Sequence, residues 1–517
     1  MSAKRQAVWA EMERDGEPWD LLVIGGGITG AGLLREAVHA GLKTLLVERR
    51  DFAWGTSSRS SKLVHGGLRY LKEGRLKLVA ESVRERTRLF SEAPGLVETL
   101  PFLLASYQGD SPGPLAYGTG LALYDMLALR WDHRWLDAQD VLSRAPKLSP
   151  ENLAGGFRYA DAETDDARLV LRLVFDAVAA GGVALNYCGV EELLRDGTRV
   201  AGAVVRDGVT GATARVKARA VVNATGVFTD RLRAQVGAAA RMRPLRGSHL
   251  VFRGDRLPAE AALAFLHPRD RRFMFVIPWE GVTLVGTTDL DHTGDLDEEP
   301  SLQPEEATYL MEAVSALFPS ARLTRSDVIA SYSGLRPVVG TGRLKPSEEP
   351  RDHVIWDEEG LVTVTGGKLT TFRIVARQTL ETLRRRLPRM RLTRGPLFPP
   401  APRRADLPEP HARRLNGRYG AAAPQLLSRP AELAPVPGTP VLWAELRHGA
   451  RAERVVRLED LMLRRTRLGL LLPEGGAEHL PRVERICREE LGWDARRWRE
   501  EQAAYRALWR RCYGPPS

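Results

Sequence analysis

Apolar runs alternate with amphipathic stretches along the chain as far as about residue 390. Residues 20–24 (DLLVI) form a short apolar run typical of a buried strand, and a helical pattern follows it and ends at Ala40-Gly41. Residues 43–47 predict a second strand. Because strands and helices alternate, the pattern indicates an α/β fold that contains a parallel sheet.

The turn after the first strand has the spacing Gly-x-Gly-x-x-Gly, at Gly25, Gly27 and Gly30. Between a strand and a helix, the first glycine allows a tight turn and the second lets backbone N–H groups approach a pyrophosphate. The third lets the helix pack closely on the strand. Glu48 ends the second strand, where a carboxylate can accept both hydroxyl groups of an adenosine ribose. The pattern predicts a dinucleotide site and leaves FAD and NAD open.

The segment after Glu48 is rich in serine and glycine, and it resembles a known family. Thr56-Ser57-Ser58, Ser61-Lys62-Leu63 and residues 65–71 (HGGLRYL) match, in order, segments of the FAD-dependent (aerobic, respiratory) glycerol-3-phosphate dehydrogenases. Further similar blocks are residues 165–170, 222–226, 247–249, 278–279, 286–289, 333–337 and 366–371. The resemblance covers about residues 19–380 and implies FAD as the cofactor.

The resemblance also implies the domain organisation. It predicts a Rossmann-like FAD-binding domain of the glutathione-reductase/amino-acid-oxidase type, an interleaved α+β substrate domain and a C-terminal helical cap domain. The expected boundaries are 19–70, 160–230 and 330–390 for the discontinuous FAD-binding domain, 71–159 and 231–329 for the substrate domain, 391–402 for a proline-rich linker and 403–517 for the cap domain.

The glycine motif and the resemblance together assign the expected FAD contacts. The segment at 366–371 precedes a helical pattern, and a helix N-terminus there would stabilise negative charge on the flavin pyrimidine. The expected contacts are Gly25, Gly27, Gly30, Glu48, Thr56, Ser57, Ser61, Lys62, His65, Gly66, Gly67, Val190, Ala224, Thr225, Gly226, Gly334, Gly367, Leu369 and Thr370.

By resemblance the substrate is sn-glycerol 3-phosphate, oxidised to dihydroxyacetone phosphate by hydride transfer from C2 to flavin N5. Guanidinium groups suit a phosphate dianion, and Arg69, Arg336 and Lys368 lie within glycine-bearing blocks, with Tyr70 as an added hydroxyl. His249 is the expected base for the C2 hydroxyl, because an imidazole near its ordinary pKa can accept that proton. His65 is the alternative base. The expected catalytic groups are His249, Arg336 and Lys368.

The composition argues against nucleic-acid binding, a disulfide framework and a metal site. The net charge is +11, and with nine lysines among 76 basic residues the other 67 are arginines, which we attribute to genome base composition rather than to nucleic-acid binding. Three scattered cysteines form neither a disulfide framework nor a metal motif, so no metal is expected. Residues 289–300 imitate the start of an EF-hand loop, but Pro300 stands where a bidentate glutamate is needed, which favours an acidic hairpin.

The N-terminus lacks a secretory signal, and no stretch of 18 apolar residues occurs, so we expect a cytoplasmic protein. The resemblance implies peripheral attachment to the inner face of the cytoplasmic membrane and a membrane quinone as electron acceptor. The apolar segment 115–131 and the basic excess are compatible with an anionic membrane surface. A homodimer is left open.

Three other functions compete with the dehydrogenase. A glycerol-3-phosphate oxidase shares these motifs but reduces oxygen to peroxide, and it typically carries an added segment for which this chain has little room. An amino-acid-oxidase-like enzyme would use Arg336 for a carboxylate, which leaves Arg69 and Lys368 unexplained. A non-catalytic flavin-binding scaffold is the third. The chain departs from the family pattern at Trp54 and at Val227-Phe228, both near the predicted cofactor.

Overall fold

The computed structural model describes residues 3–14, 17–67, 75–111, 113–342, 349, 352–399 and 408–516. Its strands are β1 (Trp19–Ile24), β2 (Thr44–Val47), β3 (Leu63–Val64), β4 (Val97–Tyr107), β5 (Arg134–Asp137), β6 (Leu153–Thr164), β7 (Val183–Leu185), β8 (Cys188–Asp196), β9 (Arg199–Asp207), β10 (Thr213–Asn223), β11 (Met242–Arg253), β12 (Ala262–Leu266), β13 (Phe273–Trp279), β14 (Val282–Gly286), β15 (Leu290–Asp291), β16 (Val328–Val339), β17 (Val354–Glu358) and β18 (Leu361–Thr365).

The α-helices span Ala3–Glu13, Ile28–His39, Leu76–Glu92, Pro114–Ala128, Ala138–Arg144, Asp166–Ala179, Thr229–Ala234, Pro304–Leu317, Phe372–Thr382, Glu409–Tyr419, Trp443–Ala452, Leu458–Asp460, Leu468–Leu471, Leu480–Leu491 and Ala495–Cys512. A π-helical turn covers Leu461–Arg465. Shorter 3-10 turns cover Thr56–Ser58, Gly226–Phe228, Pro319–Ala321, Arg325–Asp327, Leu369–Thr371, Gly420–Ser428, Pro430–Leu433 and Pro473–His479.

The first sheet is the parallel sheet that the sequence predicts. β7, β2, β1, β10 and β18 run parallel in that order, and β17 closes one edge antiparallel to β18. The helix Ile28–His39 packs against the sheet and against the helices Asp166–Ala179 and Phe372–Thr382. Buried aliphatic side chains, including Leu21, Val23 and Leu33, fill this layer. The α/β prediction is confirmed.

The second sheet is larger and mostly antiparallel. Its order is β15-β11-β14-β13-β12-β4-β6-β3, with β16 also on β11 and β5 also on β6. β3 and β16 belong to this sheet although they overlap segments that we assign to the FAD-binding domain. The second sheet therefore reaches the cofactor segments directly, and the proposed domain boundaries stay a prediction.

The C-terminal part is helical, as the fold class requires, and it packs on the second sheet. Trp443, Leu463 and Tyr505 share a core with Trp279 and Tyr332 of that sheet. The helical pattern of residues 480–512 divides into two helices, because Gly492 takes a left-handed φ of +67° and Asp494 caps the next helix by accepting the N–H of Arg497.

Candidate cofactor and substrate site

A cavity of about 430 Å³ lies where the parallel strands β1, β2, β10 and β18 end. Ligands of open α/β sheets bind at the carboxyl ends of the strands, so this is the expected place for a dinucleotide. The predicted residues that line it are Gly25, Gly27, Glu48, Thr56, Ser57, Val190, Ala224, Thr225, Gly226, Gly367, Lys368 and Leu369.

The glycine turn leaves no room for side chains at two of its positions. Gly25 has φ +115°, and a Cβ on it would lie 2.5 Å from the carbonyl oxygen of Ala224. A Cβ on Gly30 would lie 1.8 Å from the carbonyl oxygen of Gly25, so this residue brings the helix against the turn. The helix begins at Ile28, whose N–H donates to Ser57 Oγ at 2.9 Å. A helix N-terminus opening on a cavity favours an anion.

Glu48 is fixed by two backbone donors. The N–H of Gly26 donates to Oε2 at 2.7 Å and the N–H of Arg50 donates to Oε1 at 2.8 Å. Burial raises the pKa of this carboxyl, and the two N–H groups act in the opposite direction. The carboxylate lines the cavity beyond the glycine turn, so phosphate-binding and ribose-binding groups occur together. This donor and acceptor set fits FAD.

Residues 51–62, the cofactor loop, run along the cavity and then contact β16 of the second sheet. Trp54, Thr56, Ser57 and Ser60 line the cavity. Further along, Tyr332 Oη donates to the carbonyl of Ser60 at 2.9 Å, and a Cβ on Gly334 would lie 2.5 Å from the carbonyl oxygen of Arg59. The loop therefore lies against β16.

Two glycines of the second sheet make space for the predicted catalytic side chains. A Cβ on Gly247 would lie 2.3 Å from Arg336 Nη2, and a Cβ on Gly286 would lie 2.2 Å from His249 Cδ2. In the register, Gly247 opposes Gly334 and His249 opposes Tyr332. Because alternate residues of a strand share a face, His249 and Arg336 lie on the same face of the sheet.

Three acceptors from one short segment orient the Arg336 guanidinium. It donates to Asp289 Oδ1 at 2.9 Å, to the carbonyl of Thr288 at 3.2 Å and to Thr287 Oγ1 at 3.1 Å. About a quarter of the Arg336 side chain is exposed (26%), whereas Asp289 is buried. The guanidinium is thus oriented by these three acceptors while part of its side chain stays exposed.

His249 is buried and lies beside the cofactor loop. Its Nε2 is 2.8 Å from Ser61 Oγ, and its ring stacks on Tyr332 with centroids 4.7 Å apart. Its Nδ1 has no hydrogen-bond partner among the described residues. Burial, followed by the charges of Lys62 and Arg336, lowers the pKa of His249 well below its ordinary value. The expectation of an imidazole near its ordinary pKa is therefore wrong, because the shift favours the neutral form of the ring.

The Lys62 ammonium group lies away from the cavity. It donates to both carboxylate oxygens of Asp166 at 2.9 Å and to the carbonyl of Ser58 at 2.8 Å. Burial, and then Arg467, lower the pKa of Lys62 to about 7 against the opposing charge of Asp166. Its side chain therefore builds the loop and does not face the cavity that was expected to hold FAD.

Comparison with known proteins gives the family. The profile of FAD-dependent oxidoreductases matches residues 20–379, and that of the C-terminal domain of alpha-glycerophosphate oxidase matches residues 366–498. The aerobic glycerol-3-phosphate dehydrogenase of Staphylococcus epidermidis is 34% identical over 490 residues, which is 88% of this chain and 87% of the relative. The chain belongs to the FAD-dependent glycerol-3-phosphate dehydrogenase family.

Other relatives agree with this family. The aerobic glycerol-3-phosphate dehydrogenase of Bacillus subtilis is 38% identical over 75% of this chain and 70% of the relative. The crystal structure of the glycerol-3-phosphate dehydrogenase from Bacillus halodurans, complexed with FAD, superposes with a TM-score of 0.78 at 29% identity, covering 98% of this chain and 97% of that one. An L-alpha-glycerophosphate oxidase from Mycoplasma pneumoniae shares the fold, with a TM-score of 0.59 at 19% identity over 74% and 97% of the two chains.

Several predicted site residues lie outside the cavity lining. They are the predicted FAD contacts Gly30, Ser61, Lys62, His65, Gly66, Gly67, Gly334 and Thr370, and the predicted catalytic residues His249 and Arg336. Gly66 packs on the helix Pro114–Ala128, because its N–H donates to Tyr124 Oη at 2.9 Å and a Cβ would lie 2.4 Å from that oxygen. The N–H of His65 donates to Thr370 Oγ1 at 3.2 Å, which joins two segments of the site. Arg69 and Tyr70 lie outside the described residues.

Trp54 and Phe228 lie at the cavity wall, as expected, and arginines that the sequence did not point to cover both rings. The guanidinium groups of Arg49 and Arg231 lie over the Phe228 ring, 4.0 Å and 5.1 Å from its centroid. Those of Arg50 and Arg59 lie over the Trp54 ring, 4.2 Å and 4.9 Å from its centroid. Both aromatic residues are departures from the family pattern, and that departure was the available signal. Such contacts contribute about 0.5–2 kcal/mol each.

The acidic segment that imitates a calcium loop is engaged by arginines. Asp289 pairs with Arg336, and Asp291 Oδ1 lies 2.6 Å from Arg243 Nε. No group of His, Cys, Asp and Glu in the described part of the chain could hold a metal ion.

Among the described residues, no helix has both the length and the apolar character needed to cross a membrane.

Proposed function

We propose that the protein oxidises sn-glycerol 3-phosphate to dihydroxyacetone phosphate by hydride transfer from C2 to N5 of FAD, and that a membrane quinone receives the electrons. The observation that carries the proposal is the placement of His249 and Arg336 on one face of the second sheet, beside the cofactor loop. The names of the relatives, which are glycerol-3-phosphate dehydrogenases, support the choice of substrate.

FAD, when bound, supplies the hydride acceptor. The chain would hold its pyrophosphate at the glycine turn and the start of the helix Ile28–His39, and its adenosine ribose at Glu48. The turn after β18, with Gly367, Lys368 and Leu369, lines the opposite part of the cavity and is our proposed pyrimidine contact.

Arg336 would bind the substrate phosphate. Its guanidinium is already oriented by Asp289 and by the 287–288 segment, so little side-chain entropy is lost when an anion binds. Lys368 adds a second cation from the cavity wall. Arg69 and Tyr70 stay proposed contacts on the basis of sequence resemblance.

His249 would accept the C2 hydroxyl proton while hydride leaves the same carbon. A neutral imidazole is the required form, and burial beside Lys62 and Arg336 maintains it at pH 7. Ser61 Oγ, 2.8 Å from Nε2, fixes the ring together with the stacked Tyr332.

An exposed apolar surface supports attachment to the inner face of the cytoplasmic membrane, where quinone is available. Leu115, Met126, Leu129 and Trp131 are 86%, 61%, 94% and 72% exposed. Asp125 accepts the N–H of Asp132 at 2.8 Å and that of His133 at 3.0 Å, and so holds the loop that presents Leu129 and Trp131. Apolar and Trp side chains beside exposed Arg130 and Arg134 suit the headgroup region of an anionic bilayer.

The test is the anaerobic visible spectrum of the purified protein before and after addition of sn-glycerol 3-phosphate. We expect an oxidised flavin spectrum that bleaches on addition. A flavin that bleaches with an amino acid and ignores sn-glycerol 3-phosphate would refute the proposed substrate and support an amino-acid oxidase.

The acceptor is tested separately. In air, a dehydrogenase should yield little peroxide per substrate oxidised. Its turnover rate should rise when a soluble quinone is added. One peroxide per substrate, with no acceleration by quinone, would instead identify a glycerol-3-phosphate oxidase.

A further inference from the structure

Residues of the C-terminal region contact the cofactor loop through hydrogen bonds and ion pairs. Arg464 and Arg465 donate to Asp51, at the start of the loop, at 2.6 Å each. Tyr513 Oη accepts from Arg59 Nε at 3.1 Å. Arg467 contacts the middle of the loop. Two separate parts of the C-terminal region, residues 464–467 and Tyr513, thus contact a loop that is more than 400 positions earlier in the chain.

Arg467 makes the contacts closest to the residues that line the cavity. Its Nη2 donates to the carbonyl of Ser58 at 2.6 Å and to Asp166 Oδ1 at 2.8 Å, and its Nη1 donates to the carbonyl of Leu463 at 2.7 Å. The side chain is almost completely buried (1% exposed). The backbone of Arg467 has φ +63°, a left-handed conformation that is strained for a residue with a side chain.

Asp166 connects Arg467 to the cofactor loop by hydrogen bonds. Besides Arg467 it accepts the N–H of Ser60 at 2.9 Å, the hydroxyl of Ser60 at 2.7 Å and the ammonium group of Lys62. Ser60 lines the cavity, and Ser61, between these two residues, contacts His249. A buried carboxylate shared by two cations and two serine donors has its position fixed by all of them.

We propose that Arg467 is a positioning residue for the FAD site: through Ser58 and Asp166 it holds the cofactor loop in its FAD-binding conformation before FAD arrives. A lysine cannot replace it, because an ammonium group lacks the planar fork that reaches Ser58, Asp166 and Leu463 together. The inference rests on the proposed function only in taking FAD as the ligand of the cavity, and it does not depend on the substrate.

The experiment compares Arg467→Lys with the matched variant Arg447→Lys. Arg447 is also a buried arginine of the C-terminal region, but its ion-pair partners in the described part of the chain are Glu432, Glu489 and Glu490, outside the loop. FAD is removed from each protein, and its dissociation constant is measured by fluorescence quenching on rebinding, together with the denaturant midpoint of the FAD-free protein.

We expect the dissociation constant for FAD to rise about tenfold in Arg467→Lys and to stay within about twofold of wild type in Arg447→Lys, since one hydrogen bond to a charged group contributes about this factor. Equal changes in the two variants would overturn the proposal, because the role of Arg467 would then be general stability. Failure of bound FAD to bleach with sn-glycerol 3-phosphate would contradict the proposed function and leave this comparison unaffected.

A measurement on the unaltered protein covers the case in which Arg467→Lys does not fold. Amide hydrogen exchange is followed for residues 58–62 with and without FAD. Because the N–H of Ser60 is bonded to Asp166 in the interior, we expect its exchange to slow by less than about tenfold when FAD binds. Rapid exchange of this amide in folded, FAD-free protein would refute the proposal.

Discussion

The Nε2 atom of His249 lies 2.8 Å from the hydroxyl oxygen of Ser61. This contact joins a strand of the second sheet to the cofactor loop. His249 comes from β11 and Ser61 from the segment between the 3-10 turn Thr56–Ser58 and β3, so the position of the proposed base depends on both parts of the structure. A displacement of the cofactor loop would therefore also displace the proposed base.

Replacing His249 by glutamine should lower kcat far more than it changes KM. General-base catalysis contributes about 10²–10⁴-fold, whereas the proposed phosphate contact through Arg336 is retained. Steady-state kinetics with sn-glycerol 3-phosphate measure both quantities. Ser61→Ala is the control, because it leaves the imidazole in place and should cost much less. Wild-type turnover in His249→Gln would exclude His249 as the base.

The pH dependence of kcat should show an acid limb well below pH 6.5. The folded-state pKa of His249 is lowered by burial and by two neighbouring cations, so the imidazole loses its proton at a lower pH than in the unfolded chain. Turnover is then constant near neutrality and falls only as the pH drops through the lowered value. Measurement at saturating substrate from pH 5 to 8 tests this, and a limb at or above 6.5 would contradict it.

Gly30→Ala should weaken FAD binding and destabilise the protein by about 1–3 kcal/mol, because its Cβ would overlap the carbonyl oxygen of Gly25. Gly120→Ala is the matched control. It also lies within a helix, a Cβ there meets nothing within 4 Å, and we expect a gain of about 0.5–1 kcal/mol. Denaturant unfolding and retained flavin absorbance provide the two measurements. Equal FAD content and stability in both variants would show that close packing at Gly30 is unimportant.

Arg336→Lys should raise KM for sn-glycerol 3-phosphate about tenfold and reduce the preference for it over glycerol. Lysine keeps the charge but loses the fork that contacts Asp289, Thr287 and the phosphate together. Arg253→Lys alters an exposed arginine that pairs with Asp255 and should leave both values unchanged. If KM and the preference stay at wild-type values in Arg336→Lys, the phosphate binds elsewhere.

Trp131→Ser combined with Leu129→Ser should weaken binding to vesicles of anionic lipid. If both side chains are buried in the membrane interface, each contributes about 1.5–3 kcal/mol to the free energy of binding. Their loss should therefore lower partitioning to the vesicles at least tenfold. Val209→Ser, at an exposed apolar residue of another hairpin, should have no effect. Sedimentation with vesicles measures the bound fraction. Unchanged binding in the double variant would refute this surface as the point of attachment.

The parts of the structure that sequence reasoning found are those encoded locally. The first strand, the glycine turn, the helix and Glu48 follow each other within 30 positions, and their pattern predicts their contacts. The direction of the Lys62 side chain could not be predicted, since its partner Asp166 is 104 positions away. Nor could Arg467 be selected from 67 arginines, because an ion pair between distant segments leaves no periodic signal.

The contact between Arg59 and Tyr513 has a consequence for how the protein is made. Arg59 is translated 454 positions before its partner, Tyr513. The N-terminal segments can begin to fold during synthesis, but Arg59 can pair with Tyr513 only after the final helix has been translated. A chain truncated within the last turn of the helix Ala495–Cys512 would therefore have a cofactor loop that lacks one of its outer contacts, although every residue lining the cavity would be present.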